Sequence, residues 1–481
     1  MTTMMPPPEK SHLAPEPDDT VLSTLNPDGS RHWIRPRVSP GRFLDRRRIV
    51  AYGLIALFAG LPYLRIGGKP AILLDVAARE FTFVGVTFFA TDTILLALAM
   101  VSVLIGIFLV TALLGRAWCG WACPQTVYME FLFRPIERLF DGPPHRGGRP
   151  GTKKTPLRTV GKYATYFLVS FFLAHTFLAY FVGVEALAEW VRRSPFEHPA
   201  SFLIIAVTTA LMMFHFSYFR EQLCIVACPY GRLQSALLDR DSLIVSYDPN
   251  RGEPRGKHRK ADTENRLGDC VDCHLCVETC PTGIDIREGL KMECVHCAQC
   301  IDACDEVMDK IGKPRGLIRY SSQSRIAGEK PRWLRPRVIL YPLAMTVLLT
   351  AFGLALASKS DADVRLLRSP GMPYTVMPDQ SVSNPVRVKV TNRLETPASY
   401  TLSLVDAPDG ARIVLNENPF VVEPGESRTL PFVLSAPRSA FTKGGGIEIV
   451  VRIEDGAELS KDLPYRILGP AGRATDEGGS R

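Results

Sequence analysis

Eight of the twelve cysteines in this 481-residue chain lie in two consecutive runs of identical spacing, C-x2-C-x2-C-x3-C. In this pattern three closely spaced thiolates bind one 4Fe–4S cubane, and the fourth reaches across to the other cluster. The spacing therefore predicts two clusters. The first would be held by Cys270, Cys273, Cys276 and Cys304, and the second by Cys294, Cys297, Cys300 and Cys280. Zinc sites place their ligands as two separated pairs, so the spacing favours iron over zinc.

The other four cysteines form an internal repeat of two C-x3-C-P motifs, each following a long apolar segment. Cysteines at i and i+4 of a helix share one face about 6 Å apart, close enough to bind one metal. The proline disfavours helical geometry at the second cysteine. Cys119, Cys123, Cys224 and Cys228 are therefore candidate catalytic and metal-binding residues. They could hold a further iron–sulfur cluster or a soft ion such as Cu(I), or be small buried residues at helix contacts.

Met212, Met213 and His215 lie near the end of the fourth apolar segment. They could guide a copper ion, although methionines at such spacing are more often packing residues. No glycine-rich nucleotide-binding motif is present, so the sequence gives no support for a nucleotide site.

The composition excludes both a purely soluble enzyme and a disordered chain. Hydrophobic residues make up 46% of the sequence, with a net charge of +8 and a mean hydropathy of +0.06. This apolar excess is concentrated in segments long enough to cross a bilayer core of ~30 Å. Five transmembrane helices are predicted, at approximately 49–64, 93–114, 163–184, 200–219 and 338–357. The first is short and contains Pro62.

The distribution of Lys and Arg beside these helices predicts their orientation. Residues 31–48 contain seven Arg and one Asp, residues 115–162 nine basic and three acidic residues, and residues 313–337 eight basic and one acidic. We expect these segments to face the cytoplasm. Loops 67–92 and 188–199 are balanced in charge, as outside loops can be. All twelve cysteines then fall on the cytoplasmic side, where thiols stay reduced and free to bind metal.

The predicted architecture is a multi-domain membrane protein. A disordered N-terminus, 1–30, precedes a membrane domain, 31–228, with four helices and both C-x3-C-P motifs. A cytosolic ferredoxin-like α+β domain, 229–337, precedes the fifth helix, 338–357. The tail, 358–481, alternates apolar and polar residues at 386–390, 400–405 and 447–453, which predicts an all-β immunoglobulin-like sandwich on the outer side.

The chain resembles the cytochrome c oxidase accessory protein family of the FixG/CcoG/RdxA type. The segments that carry the resemblance are Arg116–Glu137, Arg220–Leu238, Ser246–Gly256, Cys280–Arg287 and Met292–Asp305. The resemblance implies a bacterial inner-membrane iron–sulfur protein that assists assembly of a cbb-type haem–copper oxidase by reducing Cu(II) to Cu(I). Copper-trafficking or oxidase-assembly proteins would be its partners. Nothing in composition or spacing identifies copper.

We therefore expect a membrane-bound electron-transfer protein in which electrons from a donor pass through two clusters to a metal ion near the paired thiols. One alternative is a quinol-linked redox subunit that passes electrons to a partner protein. Another is a non-enzymatic scaffold for oxidase assembly, in which the clusters are structural.

Overall fold

The computed structural model describes residues 23–25, 28, 30–78, 80–89, 92–144, 155–257, 267–330, 334–358, 360–394, 396–441, 445–456 and 459–470. The prediction of disorder for residues 1–30 falls mostly outside this part of the chain. The chain divides into two compact units, Met1–Phe352 and Gly353–Arg481.

The α-helices lie in the first unit, except that the last one continues past Phe352 into the second. Several of them begin with proline, a residue whose fixed φ suits the first helical position. In chain order they are α1 (Arg42–Gly60), α2 (Thr93–Leu114), α3 (Ala117–Trp121), α4 (Pro124–Tyr128), α5 (Arg134–Asp141), α6 (Pro156–Val182), α7 (Val184–Trp190), α8 (Pro199–Phe214), α9 (Pro229–Leu237), α10 (Pro249–Gly252), α11 (Leu275–Glu278), α12 (Gln299–Ile311), α13 (Gln323–Ile326) and α14 (Pro336–Ala357). Three π-helical turns, Met129–Phe133, His215–Phe219 and Leu223–Ala227, adjoin them. Short 3-10 turns occur at Leu61–Tyr63, Ile286–Glu288 and Arg438–Ala440.

Four of the five predicted spans are confirmed as helices long and apolar enough to cross a membrane. They are Thr93–Leu114, Pro156–Val182, Pro199–Phe219 and Pro336–Ala357. The remaining predicted span, 49–64, stays a prediction. Its helix, α1, begins seven residues earlier than predicted, and its first two turns carry Asp45 and several arginines.

The strands lie mainly in the second unit. In chain order they are β1 (Arg65–Ile66), β2 (Lys69–Pro70), β3 (Ile72–Asp75), β4 (Glu80–Phe83), β5 (Val86–Phe89), β6 (Ile244–Tyr247), β7 (Ile318–Ser321), β8 (Ala362–Arg368), β9 (Thr375–Val376), β10 (Ser381–Asn392), β11 (Ala398–Asp406), β12 (Arg412–Val414), β13 (Phe420–Val422), β14 (Ser427–Pro437), β15 (Gly446–Glu454) and β16 (Ser460–Leu468). Strands β3, β4 and β5 form an antiparallel meander within the predicted 67–92 loop.

The second unit is a two-sheet antiparallel sandwich. One sheet has the order β12-β14-β10-β8, with β9 also paired to β10, and the other has the order β13-β11-β15-β16. Alternate residues such as Val386, Val388 and Val390 are fully buried, because successive side chains of a strand point to opposite faces. All three predicted strand segments lie within β10, β11 and β15, which confirms them.

The cluster-run residues, 270–304, lie between the antiparallel strands β6 and β7, which pair Ile244 with Ser321. Helix α1 attaches this region to the membrane helices, since the backbone N–H of Leu44 donates to the Asp302 carboxylate at 2.8 Å.

Asn392, at the end of β10, is fully buried and has every hydrogen-bonding group satisfied. Its amide donates to the carbonyls of Thr396 and Val422, and its oxygen accepts from Leu394 N–H and the Tyr400 hydroxyl.

We predict that Asn392→Ala lowers the free energy of unfolding of the sandwich by about 2–4 kcal/mol, because buried backbone groups lose their partners. Peptide-resolved hydrogen exchange on the full chain should show faster exchange in β10, β11 and β13. The exposed Ser399→Ala in β11 is the matched control, expected within ~0.5 kcal/mol of the parent. Equal exchange in both variants would contradict this role.

Candidate functional site

The eight cysteines of the two runs line two neighbouring cavities. Each cavity takes the first three cysteines of one run and the last cysteine of the other. Site A is lined by Cys270, Cys273, Cys276 and Cys304. Site B is lined by Cys280, Cys294, Cys297 and Cys300. The side chains are therefore grouped in the crossed arrangement that the spacing predicts. Cys276 also reaches the site B cavity, so the two sites share a wall.

Left-handed backbone bends each run around its cavity. The residues that flank the second cysteine have positive φ in both runs: Asp272 (+54°) and His274 (+57°) in the first, His296 (+53°) and Ala298 (+63°) in the second. Non-glycine residues rarely adopt this conformation, which costs on the order of 1–3 kcal/mol and persists only where the surroundings enforce it. The repeated geometry curls each run so that three sulfurs face one cavity.

Helix α12 and strand β6 each contribute lining residues to both sites. Cys300 and Cys304 lie one turn apart on α12 but line different cavities, so this helix runs past both. Val245 and Tyr247 lie on one face of β6, and Val245 lines site B while Tyr247 lines site A. The period of two along a strand places them side by side.

The donor set fits iron–sulfur clusters. Burial raises the pKa of Cys276, Cys294 and Cys304 to about 12, and that of Cys297 to about 11. The buried thiols would thus stay protonated unless positive charge faces them. A metal centre supplies that charge and deprotonates its coordinating thiols. Four thiols around each largely apolar cavity are the donors that a cubane takes.

The C-x3-C-P repeat brings its four cysteines together as well. We call this group the thiol quartet: Cys119, Cys123, Cys224 and Cys228. Burial is the largest cause of a raised pKa at Cys119, Cys123 and Cys224, to about 12 at Cys224, and the neighbouring quartet thiols add to it. The four therefore lie within electrostatic range of one another. Within the described ranges, no three His, Cys, Asp or Glu side chains converge closely enough to hold one metal ion.

Neither motif is a continuous α-helix. Cys123 and Cys228 are extended (ψ 126° and 106°) and each caps the helix that its following proline begins, as the proline predicts. Gly231 N–H donates to the Cys228 sulfur at 3.3 Å. The first cysteines differ, since Cys119 lies in α3 and Cys224 lies in a π-helical turn.

The backbone leads into the two motifs in the same way. Gly115 (φ 58°, ψ −131°) and Arg220 (φ 49°, ψ −122°) share the same unusual conformation. Both precede the first cysteine by four residues and end a membrane helix or its π-helical extension. The residue equivalent to Arg116 is therefore Glu221.

Gly120, inside the first motif, is the point where the quartet meets site B. A Cβ on this residue would lie 2.5 Å from the Val295 carbonyl oxygen and 2.9 Å from the backbone of Cys297. Only glycine permits this approach of one backbone to the other. Arg47 of α1 donates to the Gly120 carbonyl oxygen at 2.9 Å.

His296 forms a second link at the same junction. Its Nδ1 accepts from the backbone N–H of Arg116 at 3.1 Å, which leaves the proton on Nε2. Burial and then Arg116 lower the pKa of His296 to about 3, so the ring is neutral. The His296 carbonyl accepts from Tyr320, whose hydroxyl accepts from Trp121 Nε1–H at 3.0 Å. The sequence singles out His296 because it lies inside a cysteine run, but it does not reveal Trp121 and Tyr320, whose partners lie far away along the chain.

A network of buried ion pairs packs beside site B. Arg220 donates to both carboxylate oxygens of Glu137, at 2.8 and 3.1 Å, and Arg134 pairs with Glu130 and Glu221. Burial alone would raise the pKa of Glu137, but Arg220 and its neighbours outweigh burial and lower it to about 2.

Met212, Met213 and His215, the residues that could guide a copper ion, mostly serve packing in the structure. Met212 and Met213 contact the aromatic cluster around Phe133 and Phe216. The His215 ring nitrogen Nε2 bonds the side chain of Gln125, which follows the first C-x3-C-P motif.

Three family models match the chain. A "4Fe-4S dicluster domain" matches residues 219–323, and a "4Fe-4S binding domain" matches residues 96–143. The "IG-like fold at C-terminal of FixG" matches residues 352–470. These matches confirm iron–sulfur domains and an immunoglobulin-like C-terminal domain.

Several relatives match over most of their length. Protein RdxB of Cereibacter sphaeroides is 34% identical and covers 81% of this chain and 85% of its own. Nitrogen fixation protein FixG of Rhizobium meliloti is 30% identical, covering 92% and 94%. Protein RdxA of C. sphaeroides is 32% identical, covering 88% and 93%. A crystal structure of a FixG-related protein from Vibrio parahaemolyticus is 20% identical over 23% of this chain and 98% of its own, with a TM-score of 0.21.

We predict that Gly120→Ala forces the quartet away from site B and destabilises the folded protein by about 1–3 kcal/mol, because the new methyl group meets backbone atoms. Iron and acid-labile sulfide per chain should fall together with the unfolding temperature in detergent. Gly53→Ala in α1, where a Cβ meets nothing within 4 Å, is the matched control. A Gly120→Ala protein with full iron content and stability would show that the contact is dispensable.

Proposed function

Because the chain belongs to the FixG/RdxA family and is an iron–sulfur electron-transfer protein, we propose that it reduces Cu(II) to Cu(I) for assembly of a cbb-type cytochrome c oxidase. The family resemblance supports copper as the substrate. The thiol quartet supports the place of reduction, since thiolates are soft ligands that favour Cu(I).

The observation that carries the proposal is the order of the three thiol groups. Site A shares Cys276 with the wall of site B, and site B meets the quartet where Gly120 touches Cys297. Iron–sulfur clusters, when bound, accept and release single electrons. The chain thus provides a series of sulfur-lined sites that ends at the quartet, next to helices α2 and α8.

The residue roles follow from this order. Cys270, Cys273, Cys276 and Cys304 would hold one 4Fe–4S cluster, and Cys280, Cys294, Cys297 and Cys300 the other. The quartet, Cys119, Cys123, Cys224 and Cys228, would bind the copper substrate or a further iron–sulfur cluster that serves it. Each Cu(II) ion takes one electron and becomes Cu(I), and a one-electron donor, such as a reduced flavoprotein or ferredoxin, restores the protein.

We also propose that α1 crosses the membrane, which brings the number of spans to five. Arg47, near its start, contacts Gly120 at the quartet, while the Phe58 carbonyl accepts from Tyr180 at 2.7 Å, near the far end of α6. The C-terminal part of helix α1 therefore packs against the C-terminal part of α6, while its N-terminal part lies at the quartet. Five spans in the bacterial inner membrane would leave the N-terminus and the cluster region cytoplasmic and the sandwich periplasmic, in line with the positive-inside rule.

We predict that replacing all four quartet cysteines by serine abolishes Cu(II) reduction by dithionite-reduced protein while preserving the visible absorption of the clusters. Serine removes the soft sulfur ligands but leaves sites A and B unchanged. Stopped-flow reoxidation with Cu(II), read with a Cu(I)-specific chelator, measures this directly.

The control is a serine replacement of the exposed Cys273 in site A, which should alter the cluster signal itself. Unchanged Cu(I) formation by the quartet variant would refute the assignment. Cluster reduction by quinol, with no reoxidation by copper, would indicate a quinol-linked redox subunit instead.

A further inference from the structure

Two buried arginines, Arg47 and Arg116, have no carboxylate partner among the described residues. Their residues are 1% and 3% exposed. Arg47 donates from Nε to the Gly120 carbonyl, and its Nη2 has no hydrogen-bond partner. Arg116 donates to the Met292 carbonyl and the Ser235 hydroxyl, and its Nε has none. A buried charge without an opposite charge is strongly unfavourable.

Other buried arginines of this chain follow the usual rule. Arg134 and Arg220 are 2% and 3% exposed, and both form ion pairs with buried glutamates. The fold can therefore supply carboxylates to guanidinium groups at this depth, and it does not do so at Arg47 and Arg116.

Both unpaired guanidinium groups lie at the junction of the quartet and site B. Arg116 Nη2 is 3.9 Å from the Cys119 sulfur, and its backbone N–H binds His296, between the site B residues Cys294 and Cys297. Arg47 acts electrostatically on Cys297. It also donates to the carbonyl oxygen of Gly120, the residue that touches the Cys297 backbone. The groups near the two guanidinium groups that can become anionic therefore include the sulfurs of Cys119 and Cys297.

The presence of an arginine at position 116 is not a shared feature of the internal repeat. Backbone geometry makes Glu221 its equivalent in the second motif, so one copy of the repeat carries a cation where the other carries an anion. A guanidinium at this position is therefore a feature of the first motif alone, the motif whose Gly120 touches Cys297.

We propose that Arg47 and Arg116 are the counter-ions of the thiolate-bound centres at site B and the quartet, and that they raise the reduction potential of site B above that of site A. This rests on the cluster assignment of the proposed function. Reduction adds one negative charge to a centre, and fixed positive charge beside it favours the reduced form. Electrons would thereby be drawn from site A towards the quartet.

The test is an EPR-monitored redox titration of the full-length protein in detergent, without copper. Arg47→Gln and Arg116→Gln should each lower the equilibrium constant for site B reduction about tenfold, which is ~59 mV for one electron. Arg47→Lys and Arg116→Lys keep the charge and should shift it much less. Site A, whose own arginine Arg287 is paired with Asp272 and Asp285, is the internal control, and Cys273→Ser assigns its signal.

A further pair of variants applies if a glutamine variant loses its clusters. Ser235→Glu would give Arg116 an ordinary carboxylate partner and should lower the site B potential, whereas the neutral Ser235→Gln should not. An unchanged site B potential in cluster-replete variants, or equal shifts at both sites, would overturn the proposal. Failure of copper reduction would leave the shift intact, and absence of iron from the parent protein would refute the cluster assignment itself.

Discussion

A buried sulfur anion requires positive charge nearby, and this constraint governs the first unit of the protein. Of the twelve cysteines, all within the described residues, only Cys273 is exposed. Backbone N–H groups, helix N-termini and two unpaired arginines converge on the sulfurs, but most of the compensation must come from bound metal. The loops around sites A and B accept left-handed backbone at four non-glycine residues to place their sulfurs. We therefore expect metal binding and folding of this region to be coupled.

The membrane helices deliver the quartet to this region. Helix α2, and α8 with its π-helical extension, end at Gly115 and Arg220 in the same unusual conformation, and each then presents one C-x3-C-P motif. Helix α1 joins the two halves, because its N-terminal turn bonds Asp302 of α12 while Arg47 bonds Gly120. The region that carries electrons and the region that would receive copper are thus held by shared contacts rather than by a flexible linker.

Local rules in the sequence predicted what depends on local spacing. The crossed grouping of the eight cysteines follows from C-x2-C-x2-C-x3-C, the extended backbone at Cys123 and Cys228 from the prolines, and the sandwich strands from alternation. The contact of Gly120 with Cys297 joins residues 177 positions apart, and Arg47 lies still farther from its sulfur neighbours. No periodicity reveals such pairs. The meander β3–β5 was missed because its strands are only four residues long. The shared backbone conformation of Gly115 and Arg220 was missed because the two residue types differ.

We propose that the three thiol groups form one electron path from the cluster region to the quartet. The most direct measurement is EPR of purified full-length protein with iron, sulfide and copper analysis, reduced stepwise and then mixed with Cu(II). We expect two interacting 4Fe–4S signals that disappear as one Cu(I) forms for each electron stored. Clusters that stay reduced in the presence of Cu(II), or a preparation containing zinc without iron and sulfide, would contradict it.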